Sequence, residues 1–139
     1  MQLTVRDWMQ SLIIYVEPDD TVSRAIALMR RRYVHSVIVK AAPGKTPMGI
    51  VTSTDICDKI VAQGKNPTET AVSEIMHFPL NTVPQDMSIL DCAAKMMGLG
   101  VHHLPVVDAQ GELVGMISST DFLVVAEAMG NNFKDRSLN

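Results

Sequence analysis

The chain has 139 residues, 47% of them hydrophobic and 19% charged, with a formal net charge of −3. That length suits one domain or two small halves, and the apolar share excludes a disordered chain. The acidic balance excludes a broad nucleic-acid-binding face, which needs a basic excess, but leaves room for a local phosphate site.

In chain order, the first segment, MQLTVRDWMQ, carries charges where a secretory signal needs an apolar run. No apolar run approaches the roughly 20 residues of a membrane span, so a soluble, cytoplasmic protein is expected. A short helical lead-in, VRDWM (5–9), comes first. LIIYV (12–16) is rich in strand formers and ends at Pro18, Asp19 and Asp20. Thr21 caps a helix in which Val22, Ile26, Met29 and Tyr33 recur at helical spacing, with Arg24, Arg30, Arg31 and Arg32 on its polar remainder. HSVIV (35–39) is a second strand, PGKTP a turn, and MGIVT (48–52) a third strand. That strand leads into a helix from about Thr54 to Gln63, ended by Gly64.

The order then repeats. VSEIM (72–76) is a second lead-in and LNTV (80–83) a strand. Ser88 caps a helix through Ile89, Ala93 and Met96. HHLPVV and LVGMIS are strands around the turn DAQGE, and TDFLVVAEAM is a helix. The last nine residues, NNFKDRSLN (131–139), form a polar tail expected to add nothing to the core.

The echo extends to single residues. Val5 matches Val72, Met9 matches Met76, Asp19 matches Asp86, Met29 matches Met96 and His35 matches His102, always 67 positions apart. Gly49 and Gly115 are 66 apart, because the second copy lacks one loop residue. The chain is therefore a tandem repeat, with copies at 1–66 and 67–130, neither able to bury its apolar face alone. The expected fold is α/β (α+β): two strand–helix–strand–strand–helix units related by pseudo-twofold symmetry. Cys57 and Cys92 have no close cysteine partner, which excludes a CxxC redox or zinc motif. Cys92 sits among apolar helical positions and reads as a buried, inert thiol.

The most pointed repetition is GIVTSTDI (49–56) against GMISSTDF (115–122), each where a third strand hands over to a helix. A helix start exposes backbone N–H groups that suit phosphate. Thr52, Ser53 and Thr54, or Ser118, Ser119 and Thr120, add hydroxyl donors. A carboxylate accepts from two neighbouring hydroxyls at once, as ribose offers, so Asp55 and Asp121 suit a ribonucleotide. The same letters, Thr52-x-x-Asp55 and Ser118-x-x-Asp121, also match a capping box that needs no ligand. Spacing alone does not separate the two.

The doubled unit, the lead-ins VRDWM and VSEIM, the stretch HHLPVVDAQGELVGMIS and the repeated phrase resemble the tandem CBS domain, or Bateman module, over about residues 5–130. The resemblance implies a module binding an adenine nucleotide or adenosyl compound in the cleft between repeats. It implies ribose on the aspartate, phosphate near the hydroxyls, and the base against backbone of the first two strands. Site one then uses Thr52, Thr54 and Asp55, with Tyr15, Val16, Ser36, Val37 and Ile38 around the base. Site two uses Ser118, Thr120 and Asp121, with Thr82, Val83, His103, Leu104 and Pro105. The implied ligands are AMP, ADP, ATP or an S-adenosyl compound, with no metal and no required cofactor. The first copy departs from the pattern, with Ile38 for Pro105 and VKAAPGKTP for VVDAQGE, and its arginine run has no counterpart after Met96. Unequal occupancy of the two sites is expected.

Two rival readings compete with this one. An enzyme would need a nucleophile with a base, or a tuned acid–base pair. His35, His77, His102 and His103 show no HExxH spacing, and adjacent strand histidines point to opposite faces; no catalysis is expected. A purely structural interaction module is favoured by the helix at 121–129, where Phe122, Leu123, Val124, Val125, Ala126, Ala128 and Met129 are apolar almost all round. One side is expected to face a second copy in a homodimer, with Val125 in that interface.

Overall fold

The computed structural model describes residues 3–138, with side chains described as far as Asn131. The elements are α1 (Val5–Trp8), β1 (Tyr15–Val16), α2 (Val22–Arg32), β2 (Ser36–Val39), β3 (Gly49–Thr52) and α3 (Ser53–Asp55). A π-helical segment (Ile56–Val61) and a 3-10 turn (Val72–Glu74) follow. Then come β4 (Val83–Pro84), α4 (Ile89–Leu99), β5 (His103–Val107), β6 (Leu113–Ser118) and α5 (Asp121–Leu138). Among the described residues no helix is long and apolar enough to cross a membrane.

The chain divides into two compact units, Ile13–Asn81 and Met1–Leu12 with Thr82–Asn139. Each holds a three-stranded sheet, in the orders β1-β2-β3 and β4-β5-β6. The outer pairing is parallel and the second antiparallel in both. The mixed α+β repeat read from the sequence is the fold observed. The lead-ins, however, sit with the body of the other copy: VSEIM closes the unit of the first sheet and VRDWM the unit of the second.

In the unit Ile13–Asn81, Thr21 Oγ1 accepts from the Arg24 N–H at 3.1 Å and starts α2. Val22, Ala25 and Met29 bury one face of that helix on Val37, Val39 and Val51 of the sheet. Val72, Ile75 and Met76 of the lead-in complete this core. Arg30, Arg31 and Arg32 lie exposed in the last turn, where the helix dipole favours cations. In the other unit, Ser88 caps α4, which buries Ile89, Cys92 and Met96 against Leu104, Val106 and Ile117. Fully burying one such aliphatic side chain contributes about 1.5–3 kcal/mol.

Each lead-in is pinned to the third strand of its unit by two backbone bonds. The N–H of Ile50 donates to His77 O at 3.0 Å and that of His77 to Ile50 O at 2.9 Å. Met116 and Gln10 make the same exchange at 2.8 and 2.9 Å. The crossing runs directly over the glycine that opens the repeated phrase. A Cβ on Gly49 would lie 2.6 Å from Met76 Sδ and 2.8 Å from His77 O. On Gly115 it would lie 2.6 Å from Met9 Sδ and 2.7 Å from Gln10 O. The glycines are there for close approach of a second backbone.

Four expectations change. The strand expected over 12–16 is regular only at Tyr15–Val16, although Ile14 O still accepts from Ile38 N at 2.8 Å. The strand expected over 80–83 begins at Val83. Its reason is Pro105, which stands 67 positions after Ile38 and has no N–H to donate. The helix expected over 54–63 is one α-turn followed by a π-helical segment, with the Ala62 N–H reaching Cys57 O. This widened stretch carries Lys59, whose Nζ reaches the Ile75 carbonyl at 2.7 Å. Finally, Val125 faces its own core, 3% exposed among Leu104, Ile117 and Met96, and is not an interface residue. Among the described residues, Leu123 and Val124 are the large hydrophobic side chains that α5 exposes. The helix continues past Gly130 to Leu138. The expectation that the 131–139 tail adds nothing to the core concerns side chains that, beyond Asn131, lie outside the described residues.

Gly115→Ala is expected to cost about 1–3 kcal/mol by overpacking against backbone, lowering the melting temperature by roughly 3–10 °C. Gly98→Ala, in α4 where an added methyl meets nothing, is expected to leave the melt unchanged or raise it. Thermal melts of the two variants check this. Burial pushes the Cys92 thiol above its ordinary range, with Lys95 opposing more weakly. Its neutral form is favoured in the fold, so that contribution holds below the ordinary thiol range and is lost as pH rises through the raised value. A thiol-specific disulfide reagent at pH 8 is expected to modify exposed Cys57 in the native protein and Cys92 only on unfolding.

Candidate functional site

The two junctions are β3 into α3 and β6 into α5. At the first, the Thr52 N–H donates to Asp55 Oδ2 at 2.8 Å, Thr52 Oγ1 donates to the same oxygen at 3.2 Å, and the Asp55 N–H donates to Thr52 Oγ1 at 3.4 Å. The capping box is thus formed in both directions. At the second, Asp121 Oδ2 accepts from the Ser118 N–H at 2.8 Å and from Ser118 Oγ at 3.2 Å. Ser118 Oγ also lies 2.8 Å from Thr120 Oγ1. Asp55 is 2% and Asp121 8% exposed, so each carboxylate is buried and held by its cap.

The other carboxylate oxygen distinguishes the copies. Asp55 Oδ1 lies 2.8 Å from His77 Nε2 and 3.2 Å from Lys59 Nζ. Asp121 Oδ1 accepts from Gln10 Nε2 at 3.1 Å. Gln10 and His77 are equivalent, 67 positions apart, and Lys59 is matched by Val125, 66 positions on. A neutral amide and an apolar side chain in one copy thus replace an imidazole and an ammonium in the other.

The remaining predicted residues are placed as follows. In the first copy Ser36 pairs with Thr52 across β2 and β3, and Tyr15 with Ile38 across β1 and β2. Strand registry therefore links the base-side residues to the junction. Ser36, Val37 and Ile38 are buried on the central strand, Tyr15 is 41% exposed, and Thr54 is exposed on the first helical turn. In the second copy His103 pairs with Ser118, and Leu104 and Pro105 are buried behind it. Thr82 precedes β4 half-buried, and Thr120 is exposed. The side chains of Val16, Val37, Val83 and Leu104 belong to the cores and leave only backbone for a ligand. A pocket of about 490 Å³ in the first-sheet unit is lined by Ile26, Met29, Arg30, Tyr33, His35 and Ser53 among others, and touches none of the predicted base residues.

The sequence reading missed Gln10, Lys59 and His77. The signal was present: the repeat offset pairs 10 with 77, and Asp55 and Lys59 stand four apart on one helix face. Among the described residues no group of three or more metal-ligating side chains gathers.

Residues 5–62 and 72–127 match the CBS domain family. The chain belongs to the CBS-domain family. It is 34% identical over 113 residues to the protein MK0525 of Methanopyrus kandleri, covering 81% of this chain and 57% of that one. The chain thus spans little more than half of that relative's length. The hexameric CBS-CP12 protein from bloom-forming cyanobacteria superposes with a TM-score of 0.81 at 30% identity, over 88% of this chain and 70% of the other. The CBS domain pair of protein MJ0100, in complex with 5′-methylthioadenosine and S-adenosyl-L-methionine, superposes with a TM-score of 0.75 at 25% identity, over 94% and 99%.

Proposed function

We propose that this CBS pair is a non-catalytic sensing module for an adenosine-containing ligand: AMP, ADP, ATP or an S-adenosyl compound. The observation that carries the reading is Asp121. Its buried carboxylate is anchored through Oδ2 by the helix cap, while among the described residues Oδ1 meets one neutral donor, Gln10 Nε2. A buried carboxylate with acceptor capacity to spare is what a vicinal diol needs. Thr120 Oγ1 stands beside it as a hydroxyl donor for phosphate, while Ser118 Oγ serves phosphate only on releasing Asp121. The adenosyl ligands of the MJ0100 pair support the choice of adenosine over other ribosyl groups. On this reading the residues around the ligand are those the resemblance named with Asp121 in the second copy.

A second copy of the chain is the proposed partner. Helix α5 exposes Leu123 at 71% and Val124 at 57%, and α4 exposes Leu90 at 56% and Met97 at 81%. Large apolar groups on two helices of one unit are costly in water and are covered by association. The hexameric CBS-CP12 relative supports assembly of this fold. A purely structural module remains the rival and is distinguished by ligand response.

A ligand at 100 times its dissociation constant is expected to stabilise the fold by about 2.7 kcal/mol, raising the melting temperature by roughly 9 °C. Asp121→Asn keeps the size and part of the cap, and is expected to remove most of that rise at little cost to the free protein. Differential scanning fluorimetry with AMP, ATP and S-adenosylmethionine checks this; no shift with any of them, in ligand-free protein, leaves the structural rival. For association, light scattering at micromolar concentration is expected to give about twice the 15.2 kDa chain mass. Leu123→Glu with Val124→Glu is expected to halve that value, because a charge in a dry interface lacks compensation.

A further inference from the structure

The copies differ at the carboxylate. An ionised carboxylate offers about four lone-pair directions. Four donors surround Asp55: the N–H and Oγ1 of Thr52 on Oδ2, and His77 Nε2 and Lys59 Nζ on Oδ1. His77 donates there as its Nε2–H tautomer or as imidazolium. Three donors surround Asp121 among the described residues: the N–H and Oγ of Ser118, and Gln10 Nε2. The charge balance differs as well. Lys59 neutralises Asp55, whereas the equivalent Val125 lies in the core and gives Asp121 no counter-charge.

We propose that Lys59 and His77 are specificity-determining residues that close Asp55 to a ligand's diol, and that Gln10 and Val125 leave Asp121 open, so that one carboxylate per chain binds. The inference rests on the adenosine-sensing reading above and deepens it.

The physical argument is one of replacement. A diol hydroxyl approaching Asp55 has to displace a donor already in place. Displacing Lys59, 32% exposed, leaves the buried Asp55 without that counter-charge. Lys59 is also tied to the Ile75 carbonyl at 2.7 Å, so it does not swing away without losing a second bond. A diol approaching Asp121 fills a vacant direction, or takes over from a neutral amide whose loss costs far less. Residue 77 or 10 reaches its carboxylate because the lead-in crosses the third strand at Ile50 or Met116.

The test is titration calorimetry on the full chain with AMP and with S-adenosylmethionine, alongside 2′,3′-dideoxy-AMP as the diol-free control. The wild type is expected to take up one diol ligand per chain. Asp121→Asn is expected to weaken that binding by about tenfold or more, the loss of a hydrogen bond to a charged group. Asp55→Asn is expected to leave it unchanged, and dideoxy-AMP to bind as weakly to the wild type as AMP does to Asp121→Asn. Lys59→Val with His77→Gln gives Asp55 the neighbours that Asp121 has, and is expected to add a second equivalent. If that variant folds poorly, Lys59→Met, which keeps the apolar stem, is expected to add the second equivalent more weakly. Two matching sites in the wild type, or a loss in Asp55→Asn equal to that in Asp121→Asn, overturns the proposal while the sensing reading stands. No binding of either ligand by the wild type and every variant overturns both.

Discussion

Each unit closes where a lead-in segment crosses its third strand over a glycine, held by a reciprocal pair of backbone hydrogen bonds. Much of the arrangement depends on that crossing. The third strand is the sheet edge opposite β1 or β4, and an edge exposes unpaired N–H and C=O groups. The lead-in covers part of that edge and brings Met76 into the core, or Met9 against it. The close approach is tolerated because the facing residue has no side chain. The residue after each methionine, His77 or Gln10, is then delivered to the buried aspartate three residues beyond the strand. One steric requirement thus couples the glycine and the aspartate of the repeated phrase through a segment remote in sequence.

The cap and the other contacts draw on different oxygens of the same carboxylate. The cap occupies Oδ2 in both copies and orients the group. What reaches Oδ1 is set by other elements, and differs. The capping box is therefore no argument against a binding role: it fixes the side chain's rotamer before a ligand arrives, so less conformational entropy is lost on binding.

The doubled architecture was legible because it rests on local signals. Thr21 and Ser88 announce α2 and α4, and valine-rich runs announce the central strands. The parts that were not legible depend on pairing partners. Thr82 lies outside a regular strand, unlike its equivalent Tyr15, because its partner Pro105, a whole helix further along the chain, has no N–H to donate. Val125 lies in a run of apolar residues, and only packing against Leu104 and Ile117 shows which side of α5 is buried. His77 reads as an ordinary loop histidine until the crossing at Ile50 places it on Asp55. The repeat offset held the clue, since it aligns His77 with Gln10, but it aligned residues without saying what they touch.

Duplication gives two copies of a site, and each is then free to diverge so long as the fold survives. The crossing, the glycine and the cap are retained in both copies, because losing any of them costs packing or an N–H partner. The crossing uses only the backbone of residues 10 and 77, so their side chains differ between the copies, as do those of 59 and 125. Lys59 and His77 also bind the first-sheet unit together: they tie the helical segment and the lead-in to one carboxylate, and Lys59 adds the Ile75 carbonyl. The second carboxylate, with one amide on Oδ1, does less of this structural work. A group that holds its own unit together through a lysine and a histidine is poorly placed to exchange them for a ligand's hydroxyls. On the proposed reading, stability in one copy and ligand response in the other are alternative uses of equivalent aspartates.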